Sequence, residues 1–292
     1  MKHLLIAAIL ILGTSLSMAQ QDVLKFEPDL ISDGGVFGLT ISPDSKTALW
    51  VQSNGKRDTL KIMESRKVKG KWSKPVIASF SAADNDWKDI DPMFSPNGKI
   101  VLFQSNRPVP GLPDRTGFDI WAVKKQGNRW SAPYHLGNSI NSDASESYAS
   151  MTKKGHIYFM KNNENKAGNS DIYVSKLVKG VYQSPVNAGS PVNTEAFRES
   201  NPFISPDEDF IVYFSSDSTG FGEVDLYISF RKNNEWTTPK NLGKPVNSEL
   251  AEFCPFVHKK EKRLYFSRQS KKEDRMIEDL YFTDFDVEKY KN

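Results

Sequence analysis

An aromatic residue returns along this chain at Trp50, Phe103, Phe159, Phe214 and Phe266, in steps of 53, 56, 55 and 52 residues. A period of that length limits the possible folds more than any local motif does, because each copy is one supersecondary unit that must stack on its neighbours to bury its faces. The copy from Asp89 to Asn141 shows the unit most clearly, with DIDPMF, a Ser95-Pro96-Asn97-Gly98 turn, IVLFQS, then FDIWAVKK and NRWSAPYHLG. Proline presets the turn's φ and Asn-Gly tolerates positive φ, so the first two runs should be antiparallel neighbours. In the third run Ile120 and Ala122 face one side while Trp121 and Val123 face the other, as the two-residue period of a strand requires.

The other landmarks keep this register. The turn recurs as Ser42-Pro43-Asp44-Ser45 and Ser205-Pro206-Asp207-Glu208, and the third strand opens at Asp119-Ile120-Trp121, Asp171-Ile172-Tyr173, Asp225-Leu226-Tyr227 and Asp279-Leu280-Tyr281. An aromatic and a proline follow at Trp72 and Pro75, Trp130 and Pro133, Tyr182 and Pro185, and Trp236 and Pro239. Proline suits an edge strand, where no ladder donor is lost. Each copy is therefore a four-stranded sheet, and five copies arranged radially predict an all-β chain forming one β-propeller of five blades rather than six. The fifth copy ends after its third strand, at about Phe282 to Val287. The stretch LKFEPDLI from Leu24 to Ile31, with Phe26 and Pro28 near the usual aromatic and proline, is expected to pair near Tyr281 and close the ring.

Composition narrows the setting. Residues 1–19 read as a secretory leader, with Lys2, an apolar run from Leu4 to Leu12 and the small-residue site Ser17-Met18-Ala19, so the propeller is expected to occupy residues 20–292. That places the protein in the periplasm or outside the cell, with no further run long enough to span a bilayer. Without Lys2 the chain has 38 basic and 36 acidic residues, a balance that gives no reason to invoke nucleic acid. A single cysteine, Cys254, excludes a disulfide framework and reads as a packed apolar residue.

The block D/E-x-x-P followed by S-P-D-G, F-x-S-N-R, D-I-Y/W and W-x-x-P resembles the WD40-like repeats called PD40, found in the TolB propeller domain. The resemblance covers nearly the whole mature chain. It implies a monomeric binding or scaffolding module of the bacterial envelope, receiving a protein segment or glycan at the channel mouth or the loop-bearing face. The longest inserts, Pro108 to Gly117 and Glu164 to Ser170, would carry specificity on that face.

A carboxylate heads the innermost strand in four copies, at Asp89, Glu146, Glu199 and Glu252, with Val36 in that place in the first. Those four with Trp87 form the candidate ligand-binding rim. The structural alternative is that each carboxylate caps a turn or pairs with an arginine such as Arg107, Arg198 or Arg268. The competing function is a carbohydrate-active enzyme, a glycosidase or lyase, using the channel-mouth carboxylates as acid and base. No cofactor is expected. The stretch Asp84-Asn85-Asp86-Trp87-Lys88-Asp89-Ile90-Asp91 spaces acidic oxygens as a calcium loop does but lacks its glycine and glutamate, which leaves Ca²⁺ at Asp84, Asp86 and Asp89 a weak candidate. Nucleophile-elbow, zinc-protease and nucleotide-loop motifs are absent, and none of the histidines is placed like a general base.

Overall fold

The computed structural model describes residues 22–81, 87–166 and 168–291. The proposed leader lies outside them. The chain folds as a five-bladed β-propeller built of small antiparallel sheets. The innermost strands are Val36–Ile41, Asp89–Phe94, Glu146–Met151, Glu199–Ile204 and Ala251–His258, and each pairs outward with a second and then a third strand. Among the described residues no helix is long and apolar enough to cross a membrane.

In four blades the cross-strand partner of the repeating aromatic lies on the third strand, as Phe103↔Trp121, Phe159↔Tyr173, Tyr213↔Tyr227 and Phe266↔Tyr281. The fourth blade corrects the expected register by one residue. Tyr213, not Phe214, holds the repeat position, and Tyr213 stacks on Tyr227 at 27° as Phe159 does on Tyr173. Phe214 points to the other face of its sheet, where Arg198 lies 4.9 Å from its ring centre. Two adjacent aromatics, Tyr213 and Phe214, made the register ambiguous from sequence.

Proline divides the outer strand. Lys71–Trp72 and Val76–Ile77 flank Pro75, and Glu235–Trp236 and Lys240–Asn241 flank Pro239, each pair running along its third strand as two short pieces. An asparagine then locks the exit from three blades. Asn141, Asn193 and Asn247 each accept from the backbone N–H of Ile120, Ile172 or Leu226 at 2.7–2.9 Å and donate to the same residue's carbonyl. The recurring third-strand aspartates clasp the outer strand. Asp171 accepts from Asn187 and Asp225 from Asn241, while His135 fills the same slot beside Asp119 at 3.1 Å.

The ring closes as expected, in a shifted register. Leu24 pairs with Phe282 and Lys25 with Tyr281, so Lys25 occupies the place of Asn241 and its Nζ meets Asp279 at 2.7 Å. Phe26 donates its N–H to Leu280, as Leu242 does to Leu226. It therefore matches the leucine after the proline rather than the aromatic before it. Glu27, at φ 45°, stands where Gly243 stands in the fourth blade and accepts from Ile31 as Gly243 does from Asn247. Closure thus rests less on a long ladder than on the Phe26 ring, which is buried edge-on against Trp72, Tyr265 and Phe282.

Candidate functional site at the head of the channel

The carboxylates heading the inner strands are enclosed. Asp89, Glu146, Glu199 and Glu252 are all 0% exposed. Asp89 meets Arg107 at 2.6 Å, Glu252 meets Arg268 at 2.6 Å, Glu199 meets Lys166 at 2.7 Å and Glu146 meets Lys161 at 3.5 Å. Glu146, Glu199 and Glu252 also accept, one at each oxygen, the hydroxyl and the N–H of Ser142, Thr194 and Ser248, the residues just after the locking asparagines. Each of these three glutamates therefore ties the incoming turn to its inner strand. Burial raises the Glu146 and Glu199 carboxyls above the usual range, against the pull of these hydrogen bonds and lysines. The cations come from the same blade as Asp89 and Glu252 rather than the next. Arg198 lies over Phe214 instead. Trp87 is half-buried, and its carbonyl accepts from Lys61 at 3.3 Å. Asp84 and Asp86 lie outside the described residues, and among those described no cluster of three metal-binding side chains occurs.

A cavity of about 280 Å³ lies one step further along the inner strands. Every inner strand carries a bulge at the same place, where the pairing register shifts after Phe37, Ile90, Ser147, Ser200 and Phe253. The next residue in each blade holds a left-handed backbone: Gly38 (φ 67°), Asp91 (51°), Tyr148 (44°), Asn201 (52°) and Cys254 (50°). A bulge re-aims its side chain. For tyrosine and cysteine that conformation costs on the order of 1–3 kcal/mol, the kind of strain that gathers at functional sites.

Asp91, Asn201 and Cys254 form one hydrogen-bonded system, and Tyr148 anchors beside it. Gln104 Nε2 donates to Asp91 Oδ2 at 2.6 Å, and the Cys254 thiol lies 3.6 Å from Asp91 Oδ1. The Cys254 N–H donates to Asn201 Oδ1 at 3.1 Å, and the Tyr148 hydroxyl donates to the Pro255 carbonyl at 2.8 Å. Gly38 makes the room, since a Cβ there would stand 3.1 Å from Asp91 Oδ1. Burial pushes the Asp91 carboxyl up to about 7, with Arg57 and the thiol opposing the rise and Glu278 adding to it. Burial also pushes the Cys254 thiol well up, with Asp91 adding to it, so it stays protonated as a donor.

Above this floor, Arg57 spans the mouth. Its guanidinium pairs with the fully buried Glu278, reaches Gln269 at 3.3 Å and lies 4.8 Å from the Phe37 ring centre. Its Nε and the second oxygen of Glu278 lack partners among the described residues. Arg198 and the exposed Glu223 line the cavity with Asp91, so a protonated carboxyl, a second carboxylate and two guanidinium groups face one space. That set can donate a proton to a leaving oxygen and hold hydroxyl-rich or anionic groups.

No family model matches the sequence, and no curated protein does. Solved structures share the fold. A thermostable family-43 glycoside hydrolase superposes with a TM-score of 0.58 at 11% identity, over 86% of this chain and 90% of that one. The GH43 endo-arabinanase from Bacillus licheniformis gives 0.53 at 13% identity, over 89% and 98%. The α-L-arabinofuranosidase from Lactobacillus brevis gives 0.52 at 12%, over 89% and 97%. At these identities the likeness is one of fold. It nevertheless corrects two readings. The PD40 and TolB resemblance is not upheld, since no family model matches and the five-bladed neighbours are glycoside hydrolases. The envelope binding or scaffolding module loses its support with it. The shared propeller architecture explains the first misreading, because blade-packing residues recur in propellers of any activity.

The residues at the cavity floor escape a reading of the repeat because they occupy the position that does not repeat. In D-I-D-P, E-S-Y-A, E-S-N-P and E-F-C-P the first residue is an enclosed carboxylate paired with a cation, and the variable third residue holds the left-handed bulge position, from which Asp91, Asn201 and Cys254 line the cavity. A position that changes from Gly to Asp, Tyr, Asn and Cys within an otherwise regular repeat was the available signal.

Proposed function

We propose that this chain is a carbohydrate-active enzyme that hydrolyses a glycosidic bond at the head of its channel, with Asp91 donating the proton. The observation that carries this is a buried carboxyl held protonated near neutral pH on the floor of a cavity that a second carboxylate, Glu223, also lines. Glycoside hydrolysis needs two carboxyl groups in different protonation states. Asp91 would protonate the leaving oxygen as the C1–O bond breaks, and Glu223 would serve water or C1 as base or nucleophile. Gln104 and Cys254 hold the Asp91 carboxyl in place, while Arg57 and Arg198 engage substrate hydroxyls. Two of the solved propellers above are named for cleaving arabinan or arabinofuranosides, which makes arabinose-bearing polysaccharides the first class to test.

The test is release of reducing ends from a polysaccharide panel. Asp91→Asn should lower turnover by about 100-fold or more, since general acid catalysis contributes about 10²–10⁴. Activity should also fall as pH rises through about 7, where Asp91 loses its proton. No turnover on any member of the panel, or an Asp91→Asn variant as fast as the parent, would overturn the reading.

A further inference from the structure

The opposite end of the channel holds a second cavity of about 340 Å³, walled by the far ends of the inner strands and by the hairpin turns that follow them. Its walls are apolar, from Ile41, Met93, Phe94, Phe203, Ile204 and Phe256. The polar atoms set among them are engaged. Ser150 Oγ donates to the Pro202 carbonyl at 2.6 Å and accepts from the Ile204 N–H at 2.9 Å. Ser95 Oγ bonds Asn97 and accepts from Ile100. His258 Nδ1 accepts from the Glu261 N–H at 3.2 Å, so its proton sits on Nε2 and donates to the Ser42 carbonyl at 3.2 Å. A ligand body in this cavity therefore meets carbon and no unsatisfied wall group.

Three lysines stand on the rim. Lys153, Lys259 and Lys260 line the cavity, and none of its lining side chains is acidic. Lys153 and Lys259 both meet Asp207 at 2.7 Å, one at each oxygen, which holds two blades' ammonium groups at the rim. One carboxylate cannot neutralise three ammonium groups, so the rim keeps a net positive charge. We infer that this end of the channel binds a small amphipathic anion, an apolar body in the cavity with one carboxylate or sulfonate at the lysine rim. The volume falls within the range of small-molecule sites. This site shares no lining residue with the cavity containing Asp91.

The experiment uses the full chain with a fluorescent anilinonaphthalene sulfonate as reporter, displaced by octanoate, octanol or octyltrimethylammonium. Octanoate should displace the dye from one saturable site at least ten times more effectively than octanol, and the cation should not displace it. A Lys153→Glu/Lys260→Glu variant should bind octanoate at least tenfold more weakly at an unchanged melting temperature, because both residues are exposed. Met151→Trp, which fills the cavity from its half-buried lip, should abolish binding. Asp91→Asn should leave it unchanged. Absence of saturable binding, equal affinity for alcohol and carboxylate, or indifference to the charge reversal would each overturn the assignment.

Discussion

The left-handed residues on the inner strands set the chemistry of the channel one side chain at a time. Asp91 is the telling case, because its burial ties catalysis to stability. The folded carboxyl keeps its proton up to about 7, whereas an ordinary aspartate releases it near 3.8. Between those values the native state binds more protons than the unfolded one, so Asp91 stabilises the fold fully below about 3.8 and ceases to as pH rises through about 7. The full span of roughly 3 units corresponds to an upper bound of about 4 kcal/mol. Asp91→Asn keeps the volume and removes the titration. Melting temperatures measured from pH 4 to 8 should therefore fall less steeply for the variant, which should overtake the parent above pH 7. Parallel curves would show that Asp91 ionises freely. Gly38 is the second residue whose identity matters here. Gly38→Ala combines a strained φ of 67° with a Cβ crowding Asp91 Oδ1, and should lower both stability and turnover.

At the scale of elements, the amino-terminal strand and the outer edges show how short a ladder can be when its anchors are right. Among the described residues the closing strand is just Leu24–Lys25, yet Phe26 packs among three rings and Ile31 is buried behind it. Phe26→Ala should cost about 3–5 kcal/mol, the usual range for emptying a buried aromatic site. Leu24→Ala, at a side chain half exposed, should change stability by less than about 0.5 kcal/mol. Urea midpoints of the two variants would separate an apolar clasp from a hydrogen-bonded one. The strand was legible in LKFEPDLI because a fifth blade needed one. Its register was not, because Phe26 and Pro28 stand for the aromatic and proline of the outer strand, one residue closer together than in the other blades, while the backbone of Glu27 follows the Leu-Gly turn.

For the whole molecule, closure of the ring places five inner strands around one channel and makes its two ends different. Removing residues 22–32 should leave a chain without a cooperative melting transition, since the last blade would expose Tyr265 and Phe282 and its third-strand edge. A truncated chain that melted with the parent would show the five blades to be stable as an open arc. The turns, the recurring aromatics and the alternation within strands determined the blade, its number and its order of strands, because these are local properties that any copy displays by itself. The tertiary structure alone decided which carboxylates are enclosed by cations and which one faces the cavity, why Phe214 yields its place to Tyr213, and where the apolar cavity with its lysine rim opens. Those outcomes depend on side chains contributed by different blades, over 160 residues apart in the case of Asp91 and Cys254, and no spacing within one repeat encodes such a meeting.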